Sequence, residues 1–155
     1  MAVEPAIANL LERFKEGAAL VRAAAGDLSG KLDAPPAPGK WTARQILCHL
    51  ADSEMVGRDR MARIAAEDNP TIVAYDQDAW ATQLDYAVRD ANEALESFCA
   101  TRDANLRMLQ ALPAAAWSKV GTHSFMGVLT LADMVRVYAD HAEGHARQLR
   151  TALEA

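Results

Sequence analysis

Cysteines, long apolar runs and a basic leader are all scarce or missing in this sequence of 155 residues. The two cysteines, Cys48 and Cys99, form neither a disulfide framework nor a Cys-x-x-Cys pair. The longest apolar run falls far short of the roughly 20 residues that a helix needs to span a membrane. Residues 1–5 lack a basic region followed by an apolar core, so we predict no secretory signal and expect a cytoplasmic location.

Positive charge is also in deficit. The chain has 16 Lys and Arg residues against 21 Asp and Glu residues, which gives a net charge of -5 at pH 7. No cluster of basic residues stands out along the chain. Because nucleic acids and anionic membranes attract basic surfaces, we expect neither of them as a partner.

The hydrophobic pattern predicts helices. Alanine is abundant, runs of β-branched residues are scarce, and apolar residues recur at steps of three and four. The pattern predicts an all-α fold, a single four-helix bundle over residues 1–155. The predicted helices lie near residues 5–28, 42–67, 79–112 and 130–153, and the third could be broken near its start.

Local signals support several of these boundaries. Pro5 suits the first turn of a helix. Thr42 and Gln45 have the spacing of a capping box, and Thr130 and Asp133 have the same spacing. Residues 119–128 contain two glycines and predict a loop or a short hairpin.

Three histidines form a candidate metal site. His141 and His145 are four residues apart on the apolar stripe of the last helix, which places both rings on one face, about 6 Å apart along the axis. His49 on the second helix is the candidate third ligand. Three imidazoles would leave coordination positions open, as in catalytic zinc sites. The alternative is that these are hydrogen-bonded core histidines, because helical periodicity does not establish that His49 faces the other two.

Two further features bear on this site. His123 lies in the segment predicted as a loop or hairpin, and we expect it at the surface; the alternative is that it reaches toward the metal. Glu54 and Arg102 both lie on stripes that should face the core, so we predict a buried ion pair between the second and third helices; the alternative is a catalytic role. The sequence assigns no catalytic residue.

The order of these motifs resembles the DinB-like superfamily of metal-binding four-helix bundles over nearly the whole chain. The resemblance rests on Trp41-Thr42-Ala43 through His49-Leu50-Ala51-Asp52-Ser53-Glu54, a glycine-containing loop before Leu129-Thr130-Leu131, and the closing His141-x-x-x-His145-x-x-Gln148-Leu149. It implies that His49, His141 and His145 bind one divalent metal ion. We expect zinc or nickel, with iron and manganese as alternatives.

The resemblance also implies a function. Members of this superfamily include transferases and isomerases that use low-molecular-weight thiols such as bacillithiol or mycothiol. It therefore favours metal-dependent transfer of such a thiol to a small-molecule substrate, and a homodimer is a further expectation. Arg44, Arg58 and Arg147 are the candidates to bind the carboxylates of a charged thiol. Metal-dependent hydrolysis and a non-enzymatic metal-binding or small-molecule-binding bundle are the alternatives.

Overall fold

Four long helices form the body of the computed structural model, which describes residues 4–155. Residues 1–3 lie outside the described residues. They belong to the segment 1–5, from which we predicted that no secretory signal is present. Each long helix packs against two of the other three, in the cyclic order α1–α5–α2–α4. This arrangement confirms the predicted all-α four-helix bundle, and it makes the two histidine-bearing helices neighbours. The helices are α1 (Pro5–Ala25), α2 (Ala43–Ala66), α3 (Gln77–Gln83), α4 (Ala91–Gln110) and α5 (Leu131–Glu154).

The predicted caps are present at the start of α2 and of α5. The Thr42 hydroxyl accepts a hydrogen bond from the Gln45 backbone, and the Gln45 side chain accepts one from the Thr42 backbone. Thr130 and Asp133 make the same pair of bonds. Helix α1 ends three residues earlier than predicted, because Gly26 has a φ of 59°, a conformation that glycine adopts without strain.

The third predicted helix is two helices, α3 and α4, separated by residues 84–90. Asp85 has a φ of 51°, which ends regular helical geometry there. The side chain of Asp90 then caps α4 by accepting a hydrogen bond from the Glu93 backbone. Within the break, Tyr86 is fully buried and its hydroxyl donates to Asp52 of α2 at 2.7 Å.

A small sheet closes one end of the bundle. Strands β2 (Val120–His123) and β3 (Gly127–Thr130) form an antiparallel hairpin, which was one of the two structures predicted for residues 119–128. The sequence did not predict β1 (Thr71–Ile72), which pairs in parallel with β2. Two residues are too few to show the alternation by which strands are recognised. The described helices include none that is long and apolar enough to span a membrane.

The predicted ion pair lies between the two apolar clusters of the core. Arg102 of α4 is fully buried, and its Nε and Nη2 atoms donate to the two carboxylate oxygens of Glu54 at 2.8 Å each. Its remaining hydrogen bonds go to the backbone carbonyl oxygens of Phe14 and Tyr138, at 2.9 and 3.0 Å. The Asn105 amide also donates to Glu54 at 3.0 Å. All four long helices therefore contribute to this one polar cluster.

Candidate metal centre

His49 of α2 meets His141 and His145 of α5 where these two helices pack together. The potential ligand atoms of the three rings all lie within 4.8 Å of one another. The closest pair is Nε2 of His49 and Nε2 of His141, at 2.9 Å. Two nitrogens bound to one ion by bonds of about 2.0–2.1 Å cannot be more than about 4.2 Å apart. Small ring rotations would bring all three nitrogens within this limit, so the donor set fits one divalent ion.

The protonation states of the rings also suit metal binding. Burial lowers the pKa of His49 to about 4, and its proximity to His145 contributes in the same direction. Burial, followed by the neighbouring His145 and His49, lowers the pKa of His141 to about 2. The pKa of His145 is lowered by burial as well. Because metals bind neutral imidazole, the three rings are ready to coordinate at neutral pH.

One ring has a partner that orients it. Nδ1 of His145 lies 2.6 Å from Oε1 of Gln148, so Nδ1 carries the hydrogen and Nε2 offers its lone pair. Asp52 and Glu54 also lie on α2, but neither of them orients a histidine of the triad, because each is paired with other residues. Asp52 accepts hydrogen bonds from Tyr86 and Arg89, whereas Glu54 pairs with Arg102.

An open cleft of about 240 Å³ reaches the triad from the side of the small sheet. His49 and His141 lie in its wall, and His145 does not. The other polar residues of the wall come from α2, α5, β2, the segment before α3 and the first residue of α3. They include Arg60, Tyr138, His123 and Tyr75. The triad is thus accessible to a small molecule from one direction.

His123 is not the surface residue that we expected. It is 5% exposed and lines the cleft, although it is not one of the three clustered histidines. Its Nδ1 atom accepts hydrogen bonds from the backbone nitrogens of Phe125 and Met126, both at 3.1 Å. The ring hydrogen is therefore on Nε2. The pairing of β2 with β1 turns the His123 side chain inward. Because the sequence did not predict β1, it gave no indication of this orientation.

The arginines that we selected as anion-binding candidates do not line the cleft. Arg44 pairs with Asp33, and Arg58 is an exposed residue that donates to a backbone carbonyl of α4. Arg60, which sequence reasoning missed, does line it. A signal was available, because Arg60 follows His49 by eleven residues, which at about 100° per residue returns to nearly the same face of a helix.

The lowered pKa values predict that the metal-free protein loses stability in acid. The pKa of His49 is about 4 in the folded protein, whereas an unfolded histidine titrates near 6.5. Between these values the unfolded chain binds a proton that the folded chain does not, so the free energy of unfolding decreases as the pH falls through this range. The whole shift corresponds to a loss on the order of 3 kcal/mol. This loss in the free energy of unfolding is measured by urea unfolding of chelator-treated protein at several pH values.

The matched control is His49→Gln, which cannot titrate at that position. Its free energy of unfolding should decrease less steeply than that of the wild type over the same pH range. Equal slopes for the two proteins would contradict the assignment of a buried, neutral His49.

Comparison with known proteins identifies the family. Residues 7–149 match the family model of the DinB superfamily. A protein of Halalkalibacterium halodurans named "putative metal-dependent hydrolase" is 27% identical over 115 residues, 73% of this chain and 66% of that protein. The chain thus spans just under two thirds of that relative. A protein of Bacillus mycoides with the same description is 30% identical over 129 residues, 83% of this chain and 74% of the relative.

A solved structure has the same fold. YfiT from Bacillus subtilis, described as "a probable metal-dependent hydrolase with an unusual four-helix bundle topology", superposes with a TM-score of 0.84 and 25% identity. The match covers 96% of this chain and 86% of YfiT. The family match extends from α1 through the last histidine of the triad and includes all three candidate ligands. This chain is a member of the DinB superfamily of metal-binding four-helix bundles.

Proposed function

We propose that this protein is a metal-dependent transferase that joins the sulfur of a low-molecular-weight thiol to a small electrophilic substrate. The observation that supports this most is the position of the triad. Three neutral imidazoles converge within 4.8 Å, and two of them form part of the wall of an open cleft. A site used only to stabilise the fold would need no such access from solvent.

His49, His141 and His145 would hold the ion, with zinc or nickel as the expected metals, because both accept imidazole ligands. Once bound, such an ion supplies Lewis acidity that lowers the pKa of a thiol or a water molecule at an open position. Gln148 keeps the Nε2 lone pair of His145 available.

The composition of the cleft supports a thiol as the nucleophile. None of the residues that line it in the described chain is Asp or Glu, so no carboxylate there can remove a proton from water. His123 cannot substitute in this arrangement, because its Nδ1 lone pair accepts two backbone hydrogen bonds. A thiol needs less assistance, since an ordinary thiol has a pKa of about 8.5 before any metal ion binds it, whereas water needs the ion to bring its pKa from about 15.7 to about 7.

The proposed reaction is a displacement at carbon. The thiol gives up its proton to solvent, and its sulfur attacks the electrophilic carbon of the substrate. A sulfur–carbon bond forms while the bond from that carbon to the leaving group breaks, and the leaving group departs with the electron pair. His49 and His141 line the cleft, so an ion held by them would be within reach of the sulfur.

Metal-dependent hydrolysis is the second candidate. It is favoured by the descriptions of the relatives and of YfiT, which name metal-dependent hydrolases. The triad and the cleft would serve it in the same way, with water in place of the thiol.

The test compares the two nucleophiles directly. Metal-loaded protein is mixed with a fluorogenic alkyl halide and, in turn, bacillithiol, mycothiol or glutathione, and the loss of free thiol is followed. A second assay measures hydrolysis of an ester and amide panel without any thiol. We expect metal-dependent thiol consumption that His141→Ala abolishes. Hydrolysis without thiol consumption would replace the proposal with the second candidate, and inactivity in both assays would favour a non-enzymatic binding protein.

Several expectations from the sequence stay predictions. They are a cytoplasmic location, a homodimer, and a partner set without nucleic acid or membrane.

A further inference from the structure

Arg60 brings a buried positive charge into the wall of the cleft. The residue is 9% exposed. Its Nη1 atom donates to the hydroxyl of Tyr138 at 3.3 Å, and its Nη2 atom donates to the backbone oxygen of Val73 at 3.1 Å. The guanidinium carbon lies 5.6 Å from the centre of the Tyr75 ring. A guanidinium has five N–H donors, so two of them are used and three are available.

The pairing of this arginine is incomplete. Its Nε atom is buried and has no hydrogen-bond partner among the described residues. No acidic side chain within residues 4–155 forms an ion pair with it. By contrast, the buried Arg102 donates hydrogen bonds to both carboxylate oxygens of Glu54. Because an uncompensated buried charge is costly, the contrast indicates that the counterion of Arg60 comes from a ligand.

Neutral donors surround the same part of the cleft. Burial raises the pKa of Tyr138 to about 12, so its phenol stays protonated. Its oxygen already accepts a hydrogen bond from Arg60, which leaves its own hydrogen free to donate. His123 carries its hydrogen on Nε2, as described above. One cation and two neutral donors, with no acidic residue in the wall, match an acceptor that bears negative charge.

We propose that the cleft binds a small molecule through a carboxylate, which pairs with Arg60 and accepts a hydrogen bond from Tyr138. The reacting end of that molecule then lies toward the triad, since the Tyr138 ring is 6.0 Å from the His141 ring, centre to centre. The assignment of a reacting end rests on the proposed function. The carboxylate site itself rests only on the surroundings of Arg60.

Charge and size favour a carboxylate over a phosphate group. Among the described residues of the wall, Arg60 is the one permanently charged cation, which matches one negative charge and would leave a phosphate dianion half compensated. The planar guanidinium also matches the two oxygens of a carboxylate. A cleft of about 240 Å³ admits a small molecule and excludes a folded partner.

The test measures binding by calorimetry on zinc-loaded protein, with pairs of probes that differ in one group. The first pair is 3-mercaptopropionate and its neutral amide. The second pair contains no thiol and consists of a hydroxamate with a terminal carboxylate and the corresponding terminal amide. We expect the charged member of each pair to bind roughly 10- to 100-fold more tightly, as charge-assisted hydrogen bonds usually provide. A phosphonate analogue of the thiol should bind less tightly than the carboxylate.

Arg60→Gln should abolish the preference for the charged probe, because it removes the positive charge that the carboxylate pairs with. Arg60→Lys keeps a positive charge without the planar fork, so it should retain part of the preference. The matched control is Arg63→Gln on the same helix, an exposed arginine paired with Asp59, which should retain all of it. Thermal melting of each variant verifies that it is folded.

The outcomes separate this proposal from the thiol-transfer proposal. Equal affinity for the charged and neutral members of both pairs overturns the carboxylate site, as does a preference that survives in Arg60→Gln. If the phosphonate binds more tightly than the carboxylate, the site is a phosphate site and the carboxylate assignment is wrong. If the protein turns over no thiol and yet prefers the charged hydroxamate through Arg60, thiol transfer fails and the carboxylate site stands.

Discussion

Replacing His141 with alanine is expected to release most of the bound metal. His141 and His49 have the closest pair of ligand nitrogens, with 2.9 Å between their Nε2 atoms, so removing His141 breaks the tightest part of the donor set. Two imidazoles alone hold a divalent ion weakly. Loss of a partner that only orients a ligand typically costs about 10- to 100-fold in metal affinity, and we expect loss of the ligand itself to exceed this range.

Metal content is measured by mass spectrometry on protein purified without a chelator or a nickel column. His49→Ala and His145→Ala should behave like His141→Ala. Gln148→Ala should weaken binding by the smaller, roughly 10- to 100-fold amount, because it removes only the partner of His145. His123→Ala should retain the metal, since His123 is not part of the cluster.

One result would reassign the third ligand. If His49→Ala retains full metal occupancy while His123→Ala loses the metal, the small sheet completes the site and α2 does not.

Replacing Glu54 with glutamine should destabilise the fold severely. The substitution removes the negative charge that faces Arg102 in a fully buried environment. Breaking such a pair from one side typically costs about 3–5 kcal/mol, because the remaining charge is left uncompensated. For a chain of this length, we expect the melting temperature to fall by roughly 10 °C.

The surroundings of Arg102 leave it no alternative position. Its guanidinium lies 4.0 Å from the centre of the Phe14 ring, and a methyl group at Gly17 would come within 2.7 Å of its Nη1 atom. The side chain therefore cannot move to solvent to recover its hydration. Removing both charges, in Glu54→Gln combined with Arg102→Met, should recover part of the lost stability.

The control for this experiment is Glu12→Gln, an exposed carboxylate 3.5 Å from Lys15 on the surface of α1. Exposed ion pairs contribute about 0–1 kcal/mol, so we expect almost no change there. Equal and negligible losses for Glu54→Gln and Glu12→Gln, in chemical or thermal unfolding, would refute the role of the buried pair.

Local chemistry was sufficient to predict the four long helices and the caps of two of them. A capping box depends on two residues three positions apart, so Thr42 with Gln45 and Thr130 with Asp133 were visible in the sequence and are present in the structure. The i, i+4 spacing of His141 and His145 likewise determines that they share one helix face. The order of the motifs indicated the family, and the comparison confirms it.

Contacts between helices were decided by the tertiary structure. Helical periodicity defines a face but not its neighbour, so it could suggest His49 as a partner of His141 without showing that they meet. The packing of α2 against α5 places the helix face that His49 and Arg60 share at the cleft wall, and the pairing of β2 with β1 carries His123 there. These placements depend on how side chains far apart in the sequence pack together, which no local pattern encodes.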